Sequence, residues 1–431
     1  MKGFVSMKSI GIVICNYNKC EHVLSCIQSV LESTTDDYSI YVVDNASTDA
    51  SLFKIKNRFG NQVTLIENQQ NLGSAGGFNT GIKRVLSAGH EFLMLLDNDA
   101  ALDERALIRM RNYLLSHPDV GMVGAKILHK HDPGFVQQFG NAIDLKLYQV
   151  KYFYADLADN DSLPEVVECS TMSTTAVMLP THVVKSVGLL PEEYFFGWDD
   201  FDWSYRIYNA GYKIHALGNA RAIHEMAPYI PKDDTSTLYY QWRNAIYFFI
   251  NYTPKAKWSN LTYMILNTMF QSIYECSYRG EKNMVSTIMR AYHDAIYARM
   301  GKIPESAVKP NDENHSQFTR FFQTSRSIYI EPGGEWLIPL LRMEHTTIHF
   351  SNNKEDADII VRTCDNIFIL KECASNIVYV DKQLNIISKP EDERIMDAYP
   401  FSLDLFLYMH QDEFLAHIEE ITKEKDGDSE F

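Results

Sequence analysis

The sequence predicts an α/β fold: a mostly parallel sheet flanked by helices, followed by a helical segment and a small C-terminal α/β domain. Three observations carry this. Apolar, strand-like runs at Ile10–Cys15, Ile40–Val43 and Phe92–Leu96 each end in polar residues: Asn16-Tyr17-Asn18, Asp44-Asn45-Ala46-Ser47-Thr48-Asp49 and Asp97-Asn98-Asp99. Continuous runs of this kind mark strands buried on both faces. Between the first two, Val23, Leu24, Ile27, Val30 and Leu31 repeat at helical spacing, and strand, helix, strand implies parallel pairing. A length of 431 residues with 45% hydrophobic content allows two or three domains and a substantial core.

Parallel sheets bind ligands beyond the carboxyl ends of their strands, which places Asn18, Asp44 and Asp97 on one rim. Asp49 or Ser51 equally well caps the helix that begins near Leu52. A third run, Val63–Ile66, leads into Asn71-Leu72-Gly73-Ser74-Ala75-Gly76-Gly77-Phe78-Asn79-Thr80-Gly81 and a helix through Ile82, Val85 and Leu86. Glycines there let backbone approach a phosphate or sugar, so Asn71, Gly77 and Asn79 are candidate donor contacts. The stretch reads G-x-x-G-G after the third strand, not G-x-G-x-x-G after the first, which excludes a nicotinamide or flavin site. No G-x-x-x-x-G-K-[ST] occurs, which argues against a P-loop NTPase. Asp97-Asn98-Asp99 suits a divalent cation, Mg²⁺ or Mn²⁺, carrying a diphosphate, because hard cations in phosphate chemistry are held by one or two carboxylates and the substrate's own oxygens. An Asx turn ending the strand accounts for the same string.

These four motifs, in this order, resemble the nucleotide-sugar half of family 2 inverting glycosyltransferases, and the likeness spans roughly residues 9 to 300. The resemblance implies a GT-A fold and a nucleotide-sugar donor. It makes Asp44 the reader of the base, Asp97 and Asn98 part of the donor site, and Asp99 the ligand of the cation.

The second half of such a site needs a base, and Phe195-Phe196-Gly197-Trp198-Asp199-Asp200-Phe201-Asp202-Trp203-Ser204-Tyr205-Arg206 supplies three carboxylates in four positions. Such crowding is costly unless ions or donors satisfy it. Phe201, Tyr205, Ile207 and Tyr208 predict a helix that stops at Ala210-Gly211, with Asp199 and Asp200 at its start, where the dipole favours an ionised base near neutral pH. Asp202 with Arg206 reads as an i, i+4 pair. In the family the second acid of the pair activates the acceptor, which is Asp200 here, with Trp198 and Asp199 on the acceptor side. The Trp-Asp-Asp string is similar to that of bacterial rhamnosyltransferases and galactofuranosyltransferases. The same resemblance raises His224, 24 residues beyond Asp200, as a second cation ligand, whereas His215 alternates with Ile214 and Ala216 as a structural strand residue.

Residues 168 to 179 predict one strand with a polar start, in which Thr174 and Thr175 are first of all good β-formers. Residues 129 to 165 lack periodicity and predict an acceptor-side loop or hairpin. The domain scheme is therefore 1–234 catalytic, 235–310 helical and packed on it, and 311–431 a small acidic α/β domain of unassigned role, reached through a linker at 309–317. In that last part short runs at 327–330, 346–350, 359–361, 367–370 and 377–380 predict strands, a helix covers 403–421, and the tail from Lys423 frays. Pro332-Gly333-Gly334 reads as a plain turn before it reads as an anion site.

The chain carries a net charge of −16 and no nucleic-acid partner is expected, yet its middle segment is basic and aromatic. Arg243 there is placed to approach an acceptor phosphate. Such helices either buttress the sheet or lie on a membrane surface beside a lipid-linked glycan acceptor. Seven cysteines without Cys-x-x-Cys fit a reducing, cytoplasmic compartment, at the inner face of the cell membrane in the second case. No stretch of 18 apolar residues or signal-peptide core is found. The C-terminal part leaves homo-oligomer formation open. Two rival functions are a nucleotidyltransferase on sugar phosphates, which would want a glycine-rich basic signature where Asn16-Tyr17-Asn18-Lys19 stands, and a non-catalytic nucleotide-sugar binding module.

Overall fold

The computed structural model describes residues 8–225, 234–312, 317–322, 327–344, 348–370, 374, 377–387 and 393–428. They form two compact units. The first holds the described residues up to 225 with Arg243–Tyr252 and Ala298–Pro304; the second holds Asp234–Trp242, Thr253–Tyr297 and the described residues from Glu305 on.

In the first unit the elements run β1 (Ile10–Asn16), α1 (Cys20–Leu31), β2 (Tyr38–Asp44), α2 (Ser51–Phe59), β3 (Val63–Glu67), α3 (Gly73–Ala88), β4 (Phe92–Asp97), β5 (Ala100–Leu102), α4 (Ala106–Ser116), β6 (Val120–His129), β7 (Val136–Gln138), β8 (Asn141–Asp144), β9 (Gln149–Tyr152), β10 (Val166–Cys169), β11 (Ala176–Pro180), α5 (Thr181–Val187), α6 (Asp199–Asn209) and β12 (Lys213–His224). The sheet order is β10-β12-β6-β11-β4-β1-β2-β3, with β5 on β12 and β7 on β6. β1 pairs in parallel with β2 and β4, β2 with β3, and β12 with β6, while β11 runs antiparallel between β4 and β6. The result is a mixed, mostly parallel sheet with helices on both faces.

Strand side chains alternate between faces, so one strand feeds two cores. Ile10, Ile12 and Ile14 join Val23, Leu24, Ile27 and Val30 of α1 and Leu107 and Met110 of α4. Val13, Val43, Leu93 and Leu95 join Phe78, Ile82 and Val85 of α3 on the other side. Burying both faces is why these strands read as unbroken apolar runs.

The single strand expected over 168–179 is two. β10 lies at the sheet edge and β11 in its middle, because the hydroxyl-rich stretch between them turns its side chains inward: Thr171 Oγ1 meets Ser204 Oγ at 2.7 Å and Ser173 Oγ meets Thr175 Oγ1 at 2.7 Å. Within 129–165, β8 and β9 form an antiparallel hairpin.

The second unit contains helices α7 (Ser236–Tyr252, whose last ten residues belong to the first unit), α8 (Trp258–Arg279) and α9 (Lys282–Ile296), then α10 (Gln317–Phe322), β13 (Ser327–Ile330), α11 (Leu337–Glu344), β14 (His349–Phe350), β15 (Ile359–Thr363), β16 (Ile377–Val380), β17 (Ile386–Ile387) and α12 (Glu393–Asp428). Its sheet order is β14-β13-β15-β16-β17, parallel but for β17. The strand expected at 367–370 is a helical turn, since Asn366 Oδ1 accepts from Phe368 N at 2.7 Å and caps it. Gly333, at φ +96°, forms a turn whose N–H is taken by Glu335 Oε2 at 2.9 Å. The last helix continues past Lys423, where fraying was expected, to Asp428; residues 429–431, like 313–316 of the expected linker, lie outside the described residues. No helix among the described residues is long and apolar enough to cross a membrane.

Candidate active site

The register of the parallel strands aligns their polar ends. Asn16 is opposite Asp44, and Cys15 is opposite Asp97. Asn16 ties the rim together: its Nδ2 donates to Ser47 Oγ at 3.2 Å and its Oδ1 accepts from Asn98 Nδ2 at 2.9 Å. Asn18, at φ +52°, presents Oδ1 to the backbone N–H groups of Thr48 at 2.7 Å and Asp49 at 3.3 Å. Asp44 is 3% exposed; its Oδ2 accepts from Ser47 N at 3.0 Å, while its Oδ1 is buried and has no hydrogen-bond partner among the described residues. An orphaned buried carboxylate oxygen is costly, and it is what a site waiting for a ligand donor looks like.

Beyond β4 the chain turns straight into β5, which pairs antiparallel with the end of β12 so that Ala100 faces His224. That pairing brings together residues 125 apart in sequence: His224 Nε2 lies 3.1 Å from Asp99 Oδ1. One ligand atom each from Asp97, Asp99 and His224 fall within 4.8 Å of one another. Asp97, expected among the donor contacts, thus stands in the cation cluster. Two carboxylates and an imidazole make an oxygen and nitrogen set that fits Mn²⁺ or Mg²⁺. Burial raises the Asp97 carboxyl above the usual range. Burial acts the same way on Asp99, but the hydrogen bonds and charges of His224 and Lys19 outweigh it and hold that carboxyl below the usual range. His224 is correspondingly raised, burial being overcome by the Asp99 hydrogen bond and the charges of both aspartates. Its Nδ1 meets Gln137 Oε1 at 2.7 Å, which orients the ring.

The acidic pair sits at the start of α6, on a loop with unusual backbone: Phe195, Gly197 and Trp198 all have positive φ, at +64°, +73° and +69°. The loop is held from two sides. Gly73, at φ +77°, lets α3 begin against it, where a Cβ would lie 2.0 Å from Phe195 O; Ser74 N donates to that same oxygen at 2.8 Å, and Ser74 Oγ to Asp199 Oδ2 at 2.6 Å. From the other side Asn244 Nδ2 reaches Tyr194 O, Phe196 O and Gly197 O at 3.1, 3.0 and 2.8 Å. Trp198 is half-buried and packs on Phe201, Phe248 and Phe249.

Burial, then the charge of Asp199, then that of Asp97 push the Asp200 carboxyl far above the usual range. Burial and Asp97 likewise raise Asp199, against the Ser74 hydrogen bond. Desolvation and like charge thus act on Asp200 against the helix dipole, which by itself favours the ionised form. The charge of Asp97 bears on both carboxyls. Asp202 is spent on structure, accepting from Arg206 Nε at 2.8 Å, Tyr194 OH at 3.1 Å and Tyr252 OH at 3.1 Å. His215 accepts or donates at Tyr113 OH, 2.9 Å away, away from the site.

Other candidates belong to the frame. Gly77 lacks a Cβ because one would lie 2.3 Å from Cys15 Sγ, so it permits α3 to pack on β1 and offers no open surface to a phosphate. Asn79, 1% exposed, fastens α3 to Leu190 through its N–H at 3.1 Å and its carbonyl at 2.9 Å. Asn71 is half-buried, its Oδ1 accepting from Asn45 Nδ2 at 3.1 Å and Gly73 N at 2.8 Å. Arg243 is 1% exposed, and its guanidinium donates to Gly301 O at 2.6 Å, Tyr194 O at 2.9 Å and Asn244 Oδ1 at 2.9 Å. A guanidinium so enclosed is a strut under the acidic loop and not a surface for an acceptor phosphate. Sequence reasoning missed Asn45, Ser74, Lys19, Gln137 and Asn244. Lys19 and Asn244 adjoin residues it singled out; Gln137 lies in an aperiodic stretch that gives no signal.

Residues 11–177 match the model of Glycosyl transferase family 2. The teichoic acid poly(glycerol phosphate) polymerase of Staphylococcus epidermidis is 25% identical over 180 residues, covering 41% of this chain and 23% of that protein. The poly(ribitol-phosphate) beta-N-acetylglucosaminyltransferase TarP of Staphylococcus aureus is 26% identical over 156 residues, covering 35% of this chain and 47% of its own. The chain thus spans less than half the length of these relatives. Among solved structures, S. aureus TarS 1-349 in complex with UDP-GlcNAc is 17% identical with a TM-score of 0.46, covering 69% of this chain and 82% of that one. These relatives do not single out rhamnosyl- or galactofuranosyltransferases. The match to glycosyl transferase family 2 therefore covers residues 11–177, the part of the chain that builds most of the mixed, mostly parallel sheet.

Proposed function

We propose that this chain is an inverting glycosyltransferase that moves a sugar from a nucleoside-diphosphate sugar, UDP or dTDP, to a hydroxyl of a glycan or lipid-linked glycan in cell-surface polymer synthesis. The observation that carries the reading is the cluster of Asp97, Asp99 and His224, with the Asp199 and Asp200 carboxyls near enough to feel the charge of Asp97. Asp44 Oδ1, buried and lacking a partner, supports a base-reading role: uracil and thymine both present an imide N–H that such an oxygen accepts.

Asp97, Asp99 and His224 are the residues to hold Mg²⁺ or Mn²⁺, which when bound supplies Lewis-acid neutralisation of the departing diphosphate. Asp200 takes the acceptor's hydroxyl proton as the acceptor oxygen bonds to the anomeric carbon; the bond from that carbon to the diphosphate oxygen breaks, and its electron pair leaves with the nucleoside diphosphate. One displacement inverts the centre. A carboxyl raised toward neutral pH is a stronger base once ionised, which suits this step. Asp199, fixed by Ser74, keeps the pair crowded, and Trp198 borders the acceptor side.

The relatives named for glycerol phosphate and ribitol phosphate polymers add hydroxyl-bearing polyol phosphates to the acceptors to be tried. The test is a panel of nucleotide sugars with Mn²⁺, scored for release of nucleoside diphosphate with and without such acceptors. Release from a UDP- or dTDP-sugar that stops in Asp200→Asn supports the reading. Release of pyrophosphate from a nucleoside triphosphate and a sugar phosphate would replace it with nucleotidyl transfer.

A further inference from the structure

Asp99 has a nitrogen partner on each carboxylate oxygen: His224 Nε2 at Oδ1, 3.1 Å away, and Lys19 Nζ at Oδ2. The two partners differ. His224 has a fixed ring, 15% exposed, oriented by Gln137, whereas the Lys19 side chain is 47% exposed on a flexible stem. Lys19 directly precedes the first turn of α1 and follows Asn18, whose Oδ1 organises the Thr48 and Asp49 amides. Nearby, His22 and Lys130 share Glu225.

We propose that Lys19 is a built-in counter-ion that holds Asp99 in the cation-free protein, yields that oxygen when a divalent cation binds, and then pairs with the diphosphate of the nucleotide. The inference rests on the reading of Asp97, Asp99 and His224 as the cation-holding set. Its physics is simple. An ammonium and a divalent cation repel across a shared carboxylate, and a half-exposed lysine leaves at little cost. The diphosphate brings several negative oxygens beside the cluster, and a lysine ammonium is a point charge suited to them.

Two titrations on the full chain at low ionic strength test this. In Lys19→Met, calorimetric titration with MnCl₂ alone gives tighter binding than wild type, by roughly two- to fivefold, because a competitor is gone. Titration with UDP at saturating Mn²⁺ gives weaker binding, by roughly tenfold or more, while Lys19→Arg stays close to wild type. Unchanged or weakened Mn²⁺ binding in Lys19→Met overturns the proposal, as does undiminished UDP affinity. Asp99→Asn separates the two levels. If it abolishes Mn²⁺ binding while Lys19→Met has neither effect, only the role of Lys19 is wrong; if it leaves Mn²⁺ binding intact, the cation site itself is wrong and the Lys19 proposal falls with it.

Discussion

The two parallel sheets of this chain end their strands in carboxylates of opposite fortune. In the second unit, Glu331 follows β13 and is held by Arg362 Nε at 2.5 Å, Arg362 Nη2 at 3.1 Å and Lys354 Nζ at 3.2 Å. Asp381, after β16, is spent on its own turn, accepting from Gln383 N at 3.0 Å, Asn385 N at 3.0 Å and Asn385 Nδ2 at 3.1 Å. In the first unit, Asp44 keeps an orphaned oxygen, Asp97 is raised by burial, and Asp199 and Asp200 crowd each other. Both sheets pair most of their strands in parallel, and burial raises Asp381 as it does Asp97; what differs is how fully each carboxylate is hydrogen-bonded. Strand-end carboxylates become a site where the fold leaves them unsatisfied, and structural conservatism where it satisfies them locally.

That contrast breaks most sharply at Asp200. Asp200→Asn should cut transfer by roughly 10²–10⁴-fold, the usual span for a positioned base, in a steady-state assay. The same variant should gain stability. A carboxyl whose folded pKa is raised contributes stability only below its unfolded pKa and loses it as pH rises through the folded value, so removing the charge stabilises most at the alkaline end of a thermal-melting series. A melting curve lowered at alkaline pH would contradict the assigned crowding. Next in size, Asp99→Asn or His224→Ala should weaken Mn²⁺ binding by at least about tenfold, read by calorimetry. Asn244→Leu strips three loop carbonyls of their donor and should cost on the order of 2 kcal/mol in denaturant unfolding while lowering turnover through displacement of Asp200. The pH profile of kcat/KM should rise along a limb lying above the ordinary carboxylate range, and Asp199→Asn should move that limb down. Smallest of all, Glu331→Gln in the second sheet should leave transfer unchanged and stability within about 1 kcal/mol.

Much of the first sheet was legible because burial on both faces writes unbroken apolar runs, and the polar residues that end them mark the rim. Asn18, Asp44, Asp97 and Asp99 could be placed that way. Three features resisted. The β5 to β12 pairing that joins Asp99 to His224 involves a three-residue strand with no periodic signature; only the resemblance to a family pointed at His224. Gly77, Asn79 and Arg243 are polar or small residues turned inward, where close packing and carbonyl acceptors explain them, and a sequence does not distinguish an enclosed donor from an exposed one. The upward shift of Asp200 comes from burial and two neighbouring carboxylates, which the local helix start alone does not contain.

The most direct measurement compares donor binding and transfer in Asp200→Asn at saturating Mn²⁺, using whichever nucleotide sugar the panel selects. The account predicts a donor dissociation constant within about twofold of wild type, since the proposed role puts Asp200 on the acceptor side, together with transfer reduced by at least roughly a hundredfold. Undiminished turnover with intact binding would contradict it, and so would a loss of donor binding that by itself explained the loss of rate.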